Sequence, residues 1–206
     1  MNTLSRFARA ALASSVLIAG LLALGCARQD TSATTSQQTS TTPEPTPMGG
    51  MADLSDANIA AIVVAYNDEE IAHAQLAKEK ATGAEVKQFA ATMITDHSAV
   101  NKKAMTLATR LNLTPEQDDA SRKLAADGSA FRQGLTSQSG ADFDRSYIAN
   151  EVALHDQVLN LIDSTLIPSA DNAELKTLLE ETRPAVQAHL QHARQIQEQL
   201  ASSTSH

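Results

Sequence analysis

Residues 84–111 read AEVKQFAATMITDHSAVNKKAMTLATRL, and their apolar spacing predicts a long amphipathic helix. Apolar side chains recur at alternating steps of four and three residues, which places them on one face of the helix. The positions on this face are Val86, Ala90, Met93, His97, Val100, Ala104, Leu107 and Leu111. His97 is the polar member of the series, so either the core tolerates an imidazole ring or the ring has a function.

Three further segments have the same periodicity, at residues 54–81, 141–167 and 172–201. Thr82-Gly83 is expected to end the first of these helices, and Pro168 the third. The chain is 42% hydrophobic but has no Trp, two Tyr and four Phe, so Ala and Leu supply most of its apolar surface. This composition favours packed helices over strands, which prefer aromatic and β-branched residues.

The connection between the second and third of these helices, residues 112–140, is nearly 30 residues long and contains Gly128, Gly134 and Gly140. We expect one or two short helices there, beginning with Thr114 as N-cap and Pro115 at the first helical position. Two helical hairpins joined by a long crossover are typical of a ferritin-like bundle. The sequence therefore predicts an all-α, ferritin-like four-helix bundle domain over residues 53–201.

The first 30 residues, MNTLSRFARAALASSVLIAGLLALGCARQD, have the pattern of a secretory signal. Two arginines precede an apolar run at residues 10–24, and the run is short for a membrane span. The end of this segment, residues 22–26, resembles a bacterial lipobox, which predicts a signal peptide at 1–25 and lipidation of Cys26. There are two alternatives: an ordinary secreted protein whose cysteine is not lipidated, and a protein held in the membrane by an uncleaved signal anchor.

Residues 26–52 are rich in Ser, Thr, Gln and Pro and predict a disordered linker between the lipid and the folded domain. Ala27 stands where an inner-membrane retention signal would have Asp, so we expect an outer-membrane lipoprotein that faces the periplasm. The membrane is then a partner through the N-terminal lipid. The formal net charge of −8 argues against nucleic acid as a partner.

Each of the four predicted helices carries a histidine on or beside its apolar face. These residues are His73, His97, His155 and His189. Buried imidazoles are costly unless each finds a partner or a metal ion, so four of them predict a shared site. Glu70 precedes His73 and Glu151 precedes His155 by one turn on the same helix face, whereas Asp96 adjoins His97 and suits a rim or supporting position.

The axial height of each residue along its hairpin indicates which of these histidines and glutamates lie level with one another. At 1.5 Å per residue, Glu70 lies about 19 Å from the first turn and His97 about 22 Å. The same estimate groups them with Glu151 and His189 and leaves His73 and His155 about one turn away.

Nitrogen and oxygen ligands without sulfur suit Fe, Zn, Mn, Cu or Ni. A ferritin-type di-iron centre needs two Glu-x-x-His pairs. Residues 70–73 form the one such pair in this sequence. On the fourth helix, His189 and His192 form a His-x-x-His pattern in place of the second pair. The alternative is a structural layer of buried polar groups that fixes the register of the helices. The usual hydrolase, phosphate-loop and dinucleotide motifs are absent from the sequence, so no catalytic residue is predicted and enzymatic activity is left open.

Several blocks of the sequence together resemble one bacterial family. They are residues 70–77, 86–90, 93–97, 143–148, 155, 184 and 189–190, among which the Met-x-x-Asp-His block at 93–97 is the most specific. The family is domain of unknown function 4142, whose members are mostly exported or membrane-associated proteins with a ferritin-like helical bundle. The resemblance implies that the recurrent polar positions fall on Glu70, Asp96, His97, His155 and His189, and it favours His155 over Glu151.

These observations predict an exported, lipid-anchored helical bundle that binds a transition metal and acts in envelope stress or metal handling. The predicted ligands are Glu70, His97, His155 and His189, with Asp96, Glu151 and His73 as secondary candidates. A non-catalytic structural or interaction lipoprotein, whose buried polar layer fixes bundle register, is the alternative function. Neither interpretation indicates a protein partner.

Overall fold

A computed structural model of the protein describes residues 54–203, so the predicted signal peptide, Cys26 and the linker lie outside the described residues. All regular structure in this range is helical, which confirms the all-α class. The five main helices are α1 (Asp56–Lys80), α2 (Ala84–Arg110), α3 (Asp119–Thr136), α4 (Gly140–Leu161) and α5 (Ala173–Ser202). Among residues 54–203, no helix has the length and apolar character that a membrane crossing requires.

The four long helices pack as two hairpins, α1 with α2 and α4 with α5. Helix α2 also packs on α5 and α1 on α4, while α3 lies against α1. Each long helix contributes to two apolar clusters, one containing Ile59 and Val158 and the other containing Phe89 and Tyr147. The interior histidines occupy positions between these two clusters on all four helices, so the predicted polar layer separates two apolar halves of the core.

Each hairpin has one aspartate that binds the backbone at the turn of the other hairpin. The Asp144 carboxylate near the start of α4 accepts hydrogen bonds from the backbone N–H groups of Thr82 (3.0 Å) and Gly83 (2.7 Å) in the α1–α2 turn. At the opposite end, the Asp56 carboxylate in α1 accepts from the backbone N–H groups of Asp171 and Asn172, both at 3.0 Å, before α5. These contacts fix the register of the two hairpins and therefore the heights of the polar side chains between them.

The crossover contains one helix of 18 residues, longer than the short helices that we expected. Its N-cap is Asp118 and not Thr114, so the predicted start was wrong: Asp118 and Ser121 exchange two hydrogen bonds in a capping box, at 2.8 and 2.9 Å. Gly128 does not break α3. It allows a close approach instead, because a Cβ atom at this position would lie 2.7 Å from Cγ of Glu69 in α1.

The chain after α4 remains helical beyond Leu161. It passes through a π-helical segment, Ile162–Leu166, and a single turn, Ile167–Ser169. Helical structure thus ends one residue after Pro168, which agrees with the predicted stop, but the sequence pattern did not reveal the π-helical turn. Ala170–Asn172 then leads directly into α5.

Asp144 offers a test of the cross-hairpin attachment. Replacing Asp144 with Ala should lower the free energy of unfolding by about 2–4 kcal/mol, because its buried carboxylate accepts hydrogen bonds from two backbone N–H groups and from the Thr82 hydroxyl. Urea denaturation followed by circular dichroism measures this. The matched control is Asp142→Ala, which removes an exposed carboxylate two residues away and should change stability by less than about 0.5 kcal/mol. Equal effects of the two substitutions would contradict this role of Asp144.

Candidate metal centre

Six ionisable residues of the polar layer are buried in the bundle interior. They are Glu70, His73, His97, Glu151, His155 and His189, with exposures between 0% and 7%. They form two adjacent groups, which we call the histidine triad (His97, His155 and His189) and the carboxylate cluster (Glu70, His73 and Glu151). In each group, one possible ligand atom from every member lies within 4.8 Å of those from the other two.

The histidine triad brings together three rings from α2, α4 and α5. The ring centroids of His97, His155 and His189 lie 5.4 to 5.7 Å apart in every pair. Tyr66 of α1 packs against the triad, with its ring edge-on to His97 at 5.6 Å and to His155 at 6.2 Å. The triad is therefore enclosed by side chains from all four long helices.

A neighbouring amide fixes the tautomer of His97. Its Nδ1 lies 2.8 Å from Oδ1 of Asn67, and Nδ2 of the same amide donates to the carbonyl oxygen of Val63 at 2.7 Å. The second contact identifies Oδ1 as the amide oxygen, so Nδ1 of His97 must carry the proton and donate it. The lone pair on Nε2 of His97 is left without a hydrogen-bond partner among the described residues.

The other two rings are held in the same manner. Nδ1 of His155 donates to the backbone carbonyl oxygen of Glu151 at 2.9 Å, and Nε2 of His189 donates to Oδ2 of Asp96 at 2.9 Å. Each bond leaves the opposite ring nitrogen unprotonated and, within residues 54–203, unpartnered. Hydrogen bonds of this kind, from one ring nitrogen to a carboxylate or carbonyl, are the usual support of metal-binding histidines.

Burial keeps His97 and His155 uncharged at neutral pH. Desolvation, with repulsion from the neighbouring imidazoles as a second cause, holds the pKa of His97 well below its ordinary value. Desolvation first, and then His189, lower the pKa of His155 to about 3. Protons therefore do not compete for the free ring nitrogens of His97 and His155 near pH 7, as metal ligation by imidazole requires.

The carboxylate cluster lies beside the triad, with Oε2 of Glu70 3.9 Å from Nε2 of His97. Burial raises the pKa of Glu70 to about 7, and burial together with the Glu70 charge raises the pKa of Glu151 well above its ordinary value. Burial also raises the pKa of Tyr66 and Tyr147, with the two carboxylates as a further cause, so both hydroxyls stay protonated. Without a bound cation, the cluster thus favours protonated carboxyl groups.

The structure distributes the four predicted ligands between the two groups. His97, His155 and His189 form the triad, whereas Glu70 joins the secondary candidates His73 and Glu151. Asp96, the remaining secondary candidate, holds His189 from a partly exposed position, which is the supporting role expected for it.

The estimate from backbone heights placed Glu151 beside His97 and His189. It was wrong about Glu151, because His155 is the α4 residue that lies beside these two histidines. Side chains tilt towards the N-terminus of their own helix. On the antiparallel helices α4 and α5, the tilt moves His155 away from the α4–α5 turn and His189 towards it. The two rings therefore meet, although their backbone heights differ by about one turn.

Sequence reasoning missed the groups that orient the ring nitrogens. Asn67 lies three residues before Glu70 on α1, a spacing that could have placed it on the same interior face. The backbone oxygens of Gly128 and Glu151, which accept hydrogen bonds from His73 and His155, have no counterpart in a side-chain pattern. His192 is exposed and packs its ring against Phe89, outside both groups.

The residues of the triad fit a transition metal ion. Three neutral imidazole nitrogens approach one another inside a polar layer, and imidazole suits Cu, Zn, Fe and Ni. Tetrahedral nitrogen ligands at about 2.0–2.1 Å from an ion lie roughly 3.5 Å apart, so contraction from separations of up to 4.8 Å needs small ring movements.

The opposed pKa shifts predict how the stability of the metal-free protein depends on pH. The lowered pKa of His155 contributes stability above pH 6.5 that is lost as the pH falls towards 3. The raised pKa of Glu70 contributes stability below pH 4.5 that is lost as the pH rises through about 7, worth roughly 3 kcal/mol. The melting temperature in a chelator should therefore be highest near pH 6 and fall on both sides.

Changing Glu70 and Glu151 together to Gln should remove most of the fall on the alkaline side of pH 6, because an amide cannot ionise. The exposed pair Glu79→Gln and Glu180→Gln, on α1 and α5, is the matched control and should retain the fall. An unchanged alkaline fall in the Glu70/Glu151 variant would contradict the assignment.

Comparison with known proteins found a family match and similar solved structures. A family model described as Domain of unknown function (DUF4142) matches residues 38–196, as the sequence blocks predicted. A structure described as CopM in the Cu(II)-bound form is similar, with a TM-score of 0.55 and 16% sequence identity over 71% of this chain and 98% of that chain. That level of identity shows a common fold alone, and no curated protein matches the chain. Since the family model spans well over half of the sequence, the protein belongs to the DUF4142 family.

Proposed function

We propose that this protein binds a copper ion at the histidine triad and handles copper in the cell envelope. The observation that carries this proposal is the set of three unpartnered imidazole nitrogens, from His97, His155 and His189, in a buried layer between two apolar clusters. Each ring is already oriented by a hydrogen bond on its other nitrogen. Such a site is organised before the ion arrives, which reduces the entropic cost of binding.

Copper is the ion that the donor set and the similar structure support best. Three nitrogen ligands without sulfur admit several ions, but divalent copper stands at the top of the affinity order for first-row metals. The similar structure was described in a Cu(II)-bound form, which supports copper as the cargo of the present chain. At the triad, the protein supplies neutral nitrogen donors and hydrogen-bonded support, while the ion supplies the positive charge.

The hydrogen-bond inventory of the triad argues against a purely structural polar layer. A layer that served only to fix bundle register would gain most when its members satisfied one another. Instead, one nitrogen of each triad histidine is buried without a partner in the part of the chain that the structure describes. An unpartnered buried polar group costs about 1–3 kcal/mol, so three of them are hard to explain by stability.

The proposal includes export, a lipid anchor at Cys26 and a ferritin-like four-helix arrangement of α1, α2, α4 and α5. The lipobox-like residues 22–26 and the polar segment at 26–52 support the anchor and the linker. The family match begins at residue 38, beyond this predicted cleavage site. On the periplasmic face of an outer membrane, such a protein would bind copper before the ion reached the cytoplasm, in a role of metal handling or envelope stress.

Copper binding by untagged protein tests the proposal directly. Wild-type protein should bind one copper ion per chain at the triad, measured by competition with a chromophoric chelator. Changing His97 and His189 together to Ala should weaken this binding on the order of 100-fold or more, because two of three ligands are lost.

The matched control for that variant is His192→Ala. His192 is an exposed histidine on α5, three residues after His189, and lies outside the triad. Its removal should leave the copper affinity unchanged. Equal losses in both variants, or wild-type protein that takes up no copper at micromolar concentration, would contradict the proposal.

A further inference from the structure

The carboxylate cluster contains a second set of unused ligand atoms. Glu70 and Glu151 are fully buried, and their carboxyl groups interact with each other but have no other hydrogen-bond partner among residues 54–203. Nδ1 of His73 is also buried and unpartnered in that range. One possible ligand atom from each of the three residues, a carboxylate oxygen or a ring nitrogen, lies within 4.8 Å of those of the other two.

Helix α3 orients His73 towards the carboxylates. Nε2 of His73 donates to the carbonyl oxygen of Gly128 at 2.9 Å, so Nδ1 carries the lone pair. Phe131, one turn further along α3, packs edge-on to the ring at a centroid distance of 5.2 Å. Gly128 permits this contact because any larger residue would collide with Glu69. The crossover helix thus supports a ligand in the same manner as Asn67 and Asp96 support the triad.

Two buried carboxylates in one place require a compensating positive charge when they ionise. Within the described residues, Glu70 and Glu151 form no ion pair with a lysine or an arginine. The ionisable side chains beside them are triad imidazoles: Nε2 of His97 lies 3.9 Å from Oε2 of Glu70, and Nδ1 of His155 lies 3.5 Å from Oε2 of Glu151. These imidazoles are neutral if they bind copper through their nitrogens. A divalent cation would balance the two carboxylates.

We propose that Glu70, His73 and Glu151 bind a second metal ion, a divalent cation of the Mn²⁺, Fe²⁺ or Zn²⁺ type, separate from the ion at the histidine triad. The two sites differ in donor chemistry: the triad offers three neutral nitrogens, while the cluster offers two anionic carboxylates and one nitrogen. Carboxylate ligands suit Mn²⁺, whereas an all-imidazole site favours copper or zinc. The bundle interior therefore holds two adjacent sites of different selectivity.

A cavity of about 160 Å³ gives this second ion a route to the cluster. It lies between α1, α3 and α4 and is lined by His73, Tyr66 and Gly128 on its inner side. Glu69, Lys123 and Asp127 line it as well, and Glu69 pairs with Arg132 while Asp127 pairs with Lys123. The route reaches His73 without passing through the triad.

Manganese binding to metal-free protein tests the second site, because Mn²⁺ is visible by electron paramagnetic resonance and binds all-imidazole sites poorly. Wild-type protein should saturate at one Mn²⁺ per chain. Changing Glu70 and Glu151 together to Gln should weaken Mn²⁺ binding at least tenfold and leave copper binding at the triad intact. The exposed control pair Glu79→Gln and Glu180→Gln should bind Mn²⁺ as the wild type does.

The His97→Ala/His189→Ala variant separates this proposal from copper binding at the triad. It should lose copper and keep Mn²⁺; loss of Mn²⁺ in this variant would mean that the ions share one site and would overturn the proposal. A wild-type protein without saturable Mn²⁺ binding, or a Glu70/Glu151 variant with unchanged affinity, would also overturn it. Should the glutamine variant misfold, pulsed resonance of the wild type gives a second readout. It should show one imidazole nitrogen coupled to Mn²⁺, and His73→Ala should abolish that coupling; persistence of the coupling would overturn the proposal.

Discussion

The interior of this bundle is organised by imidazole rings that are hydrogen-bonded on one nitrogen and unpartnered on the other. A buried nitrogen without a partner destabilises the protein, and the chain places three of them together. The oxygen atoms that accept from the opposite nitrogens fix the tautomer of each ring, so all three lone pairs are available at once. This arrangement lowers the stability of the interior, and its three nitrogen donors fit a metal ion.

The helices depend on one another for this arrangement. Asn67 of α1 orients His97 of α2, and Asp96 of α2 orients His189 of α5. Asp144 and Asp56, at opposite ends of the molecule, attach each hairpin to the turn of the other and keep these contacts in register. The polar layer lies between two apolar clusters, whose burial offsets its cost.

Periodicity in the sequence was sufficient to predict the four long helices, because each has an apolar face interrupted by one histidine. It identified six interior polar residues for the same reason. It did not separate them into two groups, since that depends on the tilt of side chains on antiparallel helices and on the turns that set their heights. Asp118 as the cap of α3, the π-helical turn after Leu161 and the carbonyl oxygens behind His73 and His155 depend on backbone geometry that side-chain patterns do not encode.

We propose that three histidine nitrogens bind the copper ion. X-ray absorption spectroscopy of untagged protein loaded with one equivalent of copper measures the ligands themselves. The account predicts three nitrogen ligands at about 2.0 Å, with the outer-shell scattering of imidazole rings. A first shell made of oxygen atoms, without imidazole scattering, would contradict it.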